Sequence, residues 1–343
     1  MMNELLKIKS PLVVEMEVTN NCNNRCIFCY NDTITQKSKY MSLENAIKII
    51  DELKRNEVFG VTITGGECLL NKDLPKIIEY IKKQDMTVGI ITNGILLENK
   101  ITELSNLGLS HIQISLLGSN SKIHDNIVNH TGAFEKIINS IKKCNENNIK
   151  IFTNTPIVKQ NVHDLESILK LALDLNVVGF SVTRYIHNSS NILDKCSVSL
   201  KEFNDTLRTL IKYKNKLNIK IANTVPLCSI EKDIDIINIL DILTPCDCAK
   251  TWLTIDCEGN IFPCPSLRIN CGSILNEGLK NIWDKNKVIS NIKNDIYIKE
   301  SCKSCEEFHI CSGGCKSFST YENGFISIND PYIKKEENLY VSC

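Results

Sequence analysis

Three cysteines near the N-terminus have the spacing of an iron–sulfur loop. Cys22, Cys26 and Cys29 form the pattern Cys-x3-Cys-x2-Cys. A [4Fe–4S] cluster ordinarily takes four cysteine ligands, so three thiolates on one loop leave one iron open to an exogenous chelator. A zinc loop and unligated buried thiols are the alternatives, but zinc sites usually have paired Cys-x2-Cys knuckles and four ligands. The spacing therefore favours a cluster with an open iron.

A second, larger group of cysteines follows Thr244. It includes the run Cys302-x2-Cys305-x5-Cys311-x3-Cys315. The chain has 17 cysteines among 343 residues, and a disulfide framework has no use in the reducing cytoplasm, so metal ligation is the leading explanation. A four-cysteine zinc ribbon over this run is the alternative. The sequence predicts two separate metal-binding regions.

The composition argues against a nucleic-acid or membrane-surface protein. Forty basic and forty acidic side chains leave a formal net charge of zero, which gives no support to a polyanionic partner. No apolar signal segment precedes Pro11, and the apolar runs, such as that around Val88–Ile91, are too short to cross a bilayer. We therefore expect a soluble cytoplasmic protein whose partner is a small molecule or a peptide.

Repeated βα units position the first cysteine loop. Runs rich in Val, Ile and Thr alternate with stretches of helical period between Pro11 and about Ile230. The predicted strands are Val13–Thr19, Val61–Thr64, Val88–Thr92, His111–Ser115, Ile149–Asn154 and Val178–Thr183. The predicted helices are Leu43–Arg55, Leu74–Lys83, Lys100–Leu107, Ala133–Glu146, Leu165–Leu175 and Leu200–Leu217. Six units predict an α/β fold, a partial (β/α)6 TIM-like barrel, with its ligands at the carboxyl ends of the strands.

The texture of the sequence changes after about Thr244. Short segments with cysteines, prolines and glycines replace the βα pattern, with a predicted hairpin of Trp252–Asp256 and Asn260–Pro263 and a short helix at Leu279–Trp283. We expect two domains, residues 1–230 and residues 231–343.

The N-terminal part resembles the radical S-adenosylmethionine (radical SAM) superfamily. Besides the three cysteines, the matching residues are Phe28, Gly65, Gly66, Glu67, Asn93 and Ser115. Gly-Gly and Asn-Gly pairs alone usually mark turns, but each of these elements ends a successive predicted strand. Cys68 stands where the family usually has proline, and we expect a small core residue there.

The resemblance implies both a cosubstrate and its contacts. In the family, the amino and carboxylate groups of S-adenosylmethionine chelate the open iron of a [4Fe–4S] cluster, and one electron gives a 5′-deoxyadenosyl radical. Phe28 would lie against the adenine. Gly65 and Gly66 would let the backbone approach the ligand, and Glu67 would accept from its ammonium group. Asn93 and Ser115 would be further contacts.

The C-terminal cysteines resemble the SPASM domain, a small cysteine-rich α+β module that holds one or two auxiliary iron–sulfur clusters, expected to be [4Fe–4S]. Gly313-Gly314 and Trp283 also match. By the family's pattern, Cys246, Cys264 and Cys315 would hold the first auxiliary cluster, and Cys302, Cys305 and Cys311 the second.

Each auxiliary cluster needs a fourth ligand. For the first we expect Cys248, with Cys271 in reserve, because Cys257 lies at the hairpin turn and is carried away by the rise of the strand. For the second, the family often has a cysteine after Asp-Pro-Tyr, where this chain has Ile333. We expect Cys343 to loop back, with an open iron as the alternative. The other cysteines expected to be buried thiols are Cys144, Cys196 and Cys228.

The resemblance implies oxidative maturation of a ribosomal precursor peptide, by a thioether or carbon–carbon cross-link. An external electron donor such as flavodoxin or ferredoxin would be needed. The chain begins about ten residues before its first predicted strand, so we expect leader recognition by a separate protein or by the barrel.

Three alternatives remain from the sequence. An anaerobic sulfatase-maturing enzyme usually has an aspartate base directly after the cysteine equivalent to Cys264, where this chain has Pro265. A small-molecule or cofactor-maturing radical enzyme shares the architecture. A non-catalytic iron–sulfur or zinc scaffold would not need the cosubstrate elements.

Overall fold

The described part of the chain forms one large sheet and a small hairpin. The computed structural model describes residues 8–31, 37–186, 195–322, 325–328 and 330–333. Within these ranges, nine strands share one sheet in the order β7-β6-β5-β4-β3-β2-β1-β8-β9, and β10 and β11 pair separately. The strands are β1 (Val13–Glu17), β2 (Gly60–Thr64), β3 (Thr87–Thr92), β4 (Ile112–Ser115), β5 (Ile151–Ile157), β6 (Gly179–Arg184), β7 (Ile219–Ile221), β8 (Trp252–Ile255), β9 (Ile261–Phe262), β10 (Ser319–Glu322) and β11 (Phe325–Ile328).

The predicted partial barrel is confirmed. Strands β1 to β7 pair in parallel and in chain order, since each is joined to the next by a helical crossover. The crossover helices are α1 (Leu43–Arg55), α2 (Leu74–Lys83), α3 (Ile101–Ser105), α4 (Ser121–Val128), α5 (Ala133–Glu146), α6 (Leu165–Asp174) and α7 (Leu200–Tyr213). All the carboxyl ends therefore meet at one rim.

Local signals place these helices. The Ser42 side chain accepts from the Asn45 amide and begins α1, and a reciprocal capping box between Ser199 and Glu202 begins α7. Both helices bury one apolar stripe against the sheet; in α1 it includes Ile49, Ile50 and Leu53.

Two elements of the barrel were missed from the sequence. Helix α4 has only eight residues, begins at an Asn120 cap and ends at left-handed Asn129. Strand β7 has three residues and lies just after the helix that was predicted to reach Leu217 but ends at Tyr213. Elements this short carry too few periods for a pattern to be recognised.

The C-terminal part continues the same sheet. Strand β8 pairs in parallel with β1, and β9 pairs with β8 in the antiparallel hairpin that was predicted. The short helices here are α8 (Ile236–Leu240), α9 (Ile274–Glu277), α10 (Leu279–Lys285), α11 (Lys287–Lys293), α12 (Glu300–Lys303) and α13 (Phe308–Cys311). The predicted domain boundary at residue 230 stays a prediction.

No helix in the described ranges is both long and apolar enough to span a bilayer.

Candidate metal and cosubstrate sites

The three-cysteine loop follows β1 and is held by the end of α4. The backbone amides of Arg25 and Ile27 donate to the carbonyls of Val128 and Ile127 at 3.0 Å each. The His130 ring lies 3.1 Å from the carbonyl of Asn23. The helix that sequence patterns missed therefore fixes the loop at the carboxyl rim of the barrel.

The three thiols of the loop lie close together. Burial, followed by the charges of Cys29 and Cys22, raises the pKa of Cys26, and burial also raises the pKa of Cys22. Three crowded thiolates are stable only beside a cation, which agrees with a metal cluster as their partner. Asn24, between them, is buried with both side-chain polar atoms lacking a hydrogen-bond partner in the described structure. The loop thus fits an iron–sulfur cluster.

Gly65 and Gly66 lie against the segment that leads into the cysteine loop. A Cβ on Gly65, which has φ of +145°, would lie 2.2 Å from the Thr19 carbonyl oxygen, and one on Gly66 would lie 2.3 Å from that of Asn21. The Gly66 amide donates to Thr19 at 2.8 Å, and the Glu67 amide donates to Asn21 at the same distance. A close approach of these glycines to a ligand was expected. In the structure they lie close to the protein's own backbone.

Glu67 is the centre of a buried hydrogen-bond network. Its Oε1 accepts from the Leu69 amide at 3.0 Å and from the Thr92 hydroxyl at 2.7 Å, and its Oε2 accepts from the Asn93 amide at 2.7 Å. Burial raises the pKa of Glu67, although these bonds oppose the shift. The carboxylate joins the ends of β2 and β3, a role that sequence reasoning did not assign to it.

The remaining predicted cosubstrate contacts lie around the loop. The Asn93 amide group donates to Asn23 Oδ1 at 2.7 Å and lies 3.8 Å from the Cys22 sulfur. Phe28 is partly buried against an apolar cluster that includes Ile127. Ser115, half-buried at the end of β4, pairs in register with Asn154 in the middle of β5. Cys68 is buried, as expected.

Four C-terminal cysteines come together in the structure. The Cys248 thiol is hydrogen-bonded to the sulfur atoms of Cys246 and Cys264. Each of these hydrogen bonds lowers the pKa of the cysteine that accepts it. Burial, followed by the charges of Cys246 and Cys264, raises the pKa of Cys315 to about 12. The four thiols expected around the first auxiliary cluster thus form one group, in which Cys246 is half-buried beside the Lys316 ammonium and the other three are buried.

Cys271, the reserve ligand, and Cys257, which was not expected to be one, have no cysteine among the groups that shift their pKa values. Burial alone raises the pKa of Cys271 to about 12. Cys257 has Asp256, Glu17 and Glu258 as its charged neighbours, and burial raises its pKa to about 11.

The second auxiliary group is less enclosed. Cys302, Cys305 and Cys311 are half-buried around α12 and α13, and the Cys305 amide donates to the Cys302 carbonyl at 3.1 Å. Cys343 lies outside the described residues. Within the described ranges, no group of three or more His, Cys, Asp or Glu residues is arranged to hold a single metal ion.

One prediction about the remaining cysteines is wrong. Cys144 and Cys196 are buried as expected, but Cys228 is exposed. It lies in the 3-10 turn Leu227–Ser229 beyond β7, and that turn directs its side chain away from the core.

Two ion pairs that the sequence did not indicate join the barrel to the C-terminal part. Arg184, at the end of β6, makes two bonds of 3.0 and 2.6 Å to Asp330, and both side chains are at most 2% exposed. Glu17, at the end of β1, accepts two bonds of 2.8 and 3.0 Å from Arg268. The sequence hinted at the first pair only through an arginine at the end of an otherwise uncharged strand.

The lumen of the barrel also holds an unexpected carboxyl group. Burial, followed by the charges of Glu17 and Cys264, raises the pKa of Glu15 to about 8, so the group can take up a proton near neutral pH. Glu15 also lines a cavity of about 430 Å³ with His111 and Trp252. Its lining residues Leu12, Val13, His111 and Trp252 lie at the amino ends of the strands.

Comparison with known proteins agrees with this arrangement. Residues 16–172 match the model of the radical SAM superfamily, and residues 246–306 match that of the SPASM iron–sulfur cluster-binding domain. The chain is 24% identical over 335 residues to the PqqA peptide cyclase of Bradyrhizobium diazoefficiens, covering 94% of this chain and 85% of that protein. It is 23% identical over 340 residues to the AdoMet-dependent heme synthase of Methanosarcina barkeri, covering 94% and 96%.

The fold is also that of a solved structure. Streptococcus suis SuiB bound to precursor peptide SuiA has a TM-score of 0.73 at 20% identity, covering 90% of this chain and 72% of that one. The two family models and the shared fold agree with the sites described above. The chain is therefore an enzyme of the radical SAM superfamily that carries a SPASM domain in its C-terminal part.

Proposed function

We propose that this enzyme oxidatively matures a ribosomally made precursor peptide by forming a thioether or a carbon–carbon cross-link. The observation that carries the proposal is a pair of likenesses over most of the chain: in sequence to a peptide cyclase, and in fold to a protein solved with its precursor peptide bound. The parallel rim, the cysteine loop and the second cysteine group supply the parts that such chemistry needs.

Within this proposal, Cys22, Cys26 and Cys29 hold the catalytic [4Fe–4S] cluster, and S-adenosylmethionine is the cosubstrate. When bound, the two supply a 5′-deoxyadenosyl radical that removes a hydrogen atom from the substrate. Glu67 and Asn93 hold the ends of β2 and β3 against the loop and present the carboxylate and amide that would orient the cosubstrate.

Phe28, Gly65, Gly66 and Ser115 complete the proposed cosubstrate site. Phe28 would lie against the adenine. The two glycines act by letting β2 close on the backbone before the cysteine loop, since any side chain there would collide with it.

The C-terminal cysteines are proposed to hold the auxiliary clusters, which would take up an electron or bind the substrate. Cys246, Cys248, Cys264 and Cys315 form the first group. The hydrogen bond with Cys248 and the nearby Lys316 ammonium lower the pKa of Cys246 and favour a thiolate there, whereas burial keeps the pKa of Cys315 raised although the Arg184 guanidinium opposes it. Cys302, Cys305 and Cys311 form the second group.

The proposal includes partners and a location. An external reductant such as flavodoxin or ferredoxin would reduce the catalytic cluster, and a separate protein or the barrel would recognise the leader of the peptide. A cytoplasmic location suits a chain in which so many thiols must stay reduced.

A reconstituted assay tests the proposal. The enzyme is incubated without oxygen with S-adenosylmethionine, a reductant and the short peptides encoded beside its gene. We expect 5′-deoxyadenosine together with a peptide that has lost the mass of one hydrogen molecule. Deoxyadenosine without any change in a peptide would contradict the peptide assignment but not the radical chemistry.

A small-molecule substrate is the second candidate, because the AdoMet-dependent heme synthase is also similar over nearly the whole chain. Supplying a porphyrin precursor in the same assay distinguishes the two. A sulfatase-maturing activity is less well supported, since Pro265 follows Cys264 and offers no general base.

A further inference from the structure

The second auxiliary group has three cysteines and needs one more ligand. In this chain Ile333 occupies the position after Asp330-Pro331-Tyr332, and an aliphatic side chain cannot bind iron. The Ile333 amide donates to the Asp330 carbonyl at 3.0 Å, so this residue is held by its own turn. The missing ligand has to come from another segment.

Cys228 lies beside this group. The Cys302 thiol interacts electrostatically with Cys311, Cys228 and Cys305, so these three thiols lie near it. Cys228 therefore lies in the same electrostatic neighbourhood as the two other cysteines of the trio. Its chain neighbours Leu227 and Ser229 are buried, whereas Cys228 itself is exposed, so its side chain faces outward from the barrel.

Bonded contacts hold the two segments together independently of any charge effect. The buried guanidinium of Arg184 donates to the Thr224 carbonyl at 2.6 Å on one side and to Asp330 at 2.6 and 3.0 Å on the other. Asp330 in turn accepts from the Cys315 amide at 3.2 Å.

The same chain of contacts reaches the cysteine run itself. The Gly314 amide, beside Cys315, donates to the carbonyl of Cys311 at 2.9 Å. Cys228 follows Thr224 by four residues, and Cys311 precedes Cys315 by four. The segments that carry Cys228 and Cys311 are thus both attached, through Thr224 and Cys315, to the Arg184–Asp330 ion pair.

We propose that Cys228, from the end of the barrel, is the fourth protein ligand of the second auxiliary cluster. Cys228, Cys302, Cys305 and Cys311 then form a closed set of four thiolates, the usual number for a [4Fe–4S] cluster. The cluster joins the barrel to the SPASM domain and has no open iron, so it serves electron transfer rather than substrate binding. The assignment does not depend on the peptide substrate.

Alkylation of the anaerobically purified enzyme tests this ligation without any turnover. Cys228 is exposed in the protein, so without a cluster it should react readily with iodoacetamide. We expect it to be protected in the iron-loaded protein and labelled after the iron is removed with an oxidant and a chelator. Equal labelling of Cys228 before and after iron removal would overturn the proposal.

Matched variants give a second readout. Cys228→Ser should lower the iron content by up to about four atoms per chain or change the EPR signal of one reduced cluster, while the signal of the N-terminal cluster remains. Cys343→Ser, the matched control, should leave both unchanged. The opposite result, with Cys343→Ser altering the cluster and Cys228→Ser leaving it intact, would assign the ligand to the chain end. Retention of the N-terminal cluster shows that a variant has folded.

Discussion

Replacing Glu67 by glutamine separates binding of the cosubstrate from support of its site. In the variant, the side-chain oxygen of the glutamine can keep the hydrogen bonds from Thr92 and Leu69. Its NH2 group then faces the backbone N–H of Asn93, which in the wild type donates to Glu67 Oε2 at 2.7 Å. Two donors then face each other in a buried place, which costs about 1–3 kcal/mol of folding free energy.

The same change should weaken binding of the cosubstrate. Removing the charge opposite the ammonium group loses a charge-assisted hydrogen bond, about 1.5–3 kcal/mol. That is roughly a tenfold to a more than hundredfold rise in the dissociation constant. Because the Asn93 side chain reaches Asn23 and Cys22, some of this loss would pass through the loop, but no iron ligand is removed.

Anaerobic calorimetry of S-adenosylmethionine binding, an unfolding curve and an iron assay measure the three effects. Glu98→Gln is the control, since Glu98 pairs with Lys143 at the surface and lies outside the network. Lower stability with unchanged affinity would make Glu67 a structural residue only. Loss of iron from Glu67→Gln would show that it supports the cluster instead.

Three further predictions follow from the structure. Replacing the three loop cysteines together by alanine should remove the iron of one cluster and leave the iron of the C-terminal part; these cysteines are Cys22, Cys26 and Cys29. Full retention of iron would exclude the loop as a cluster site. Asp330→Asn should destabilise the protein by about 3–5 kcal/mol in urea unfolding, because it leaves Arg184 buried without its counter-charge. Glu44→Gln, which removes a charge from an exposed ion pair, is the control and should have no measurable effect. Equal effects of the two changes would refute the argument. Burial lowers the pKa of His124 from 6.5 to about 4, so its neutral form is favoured on folding and stability is lost as the pH falls between these values. Between pH 7 and about pH 5 the wild type should lose about 2 kcal/mol of unfolding free energy, whereas His124→Gln should not show this loss. Parallel pH profiles of the two proteins would contradict the argument.

Sequence patterns were sufficient for the regular part of the barrel. Helices α1, α2 and α5 were predicted with the bounds that the structure has, because their apolar stripes repeat over several turns. The Ser42 cap of α1 and the proline in the first turn of α2 also mark where those two helices begin. The order of motifs at successive strand ends also indicated the family, since each motif depends on residues that are close in sequence.

The tertiary structure decided which distant residues meet. Whether Cys248 rather than Cys271 joins Cys264 depends on how the hairpin folds back, and the exposure of Cys228 depends on the turn after a three-residue strand. The Arg184–Asp330 pair joins residues 146 positions apart. A pattern read along the chain reports local period and local turns, whereas such contacts arise only when separate elements pack. The sequence alone therefore determined the fold class and the chemistry of its cysteines, while packing determined how those cysteines are grouped.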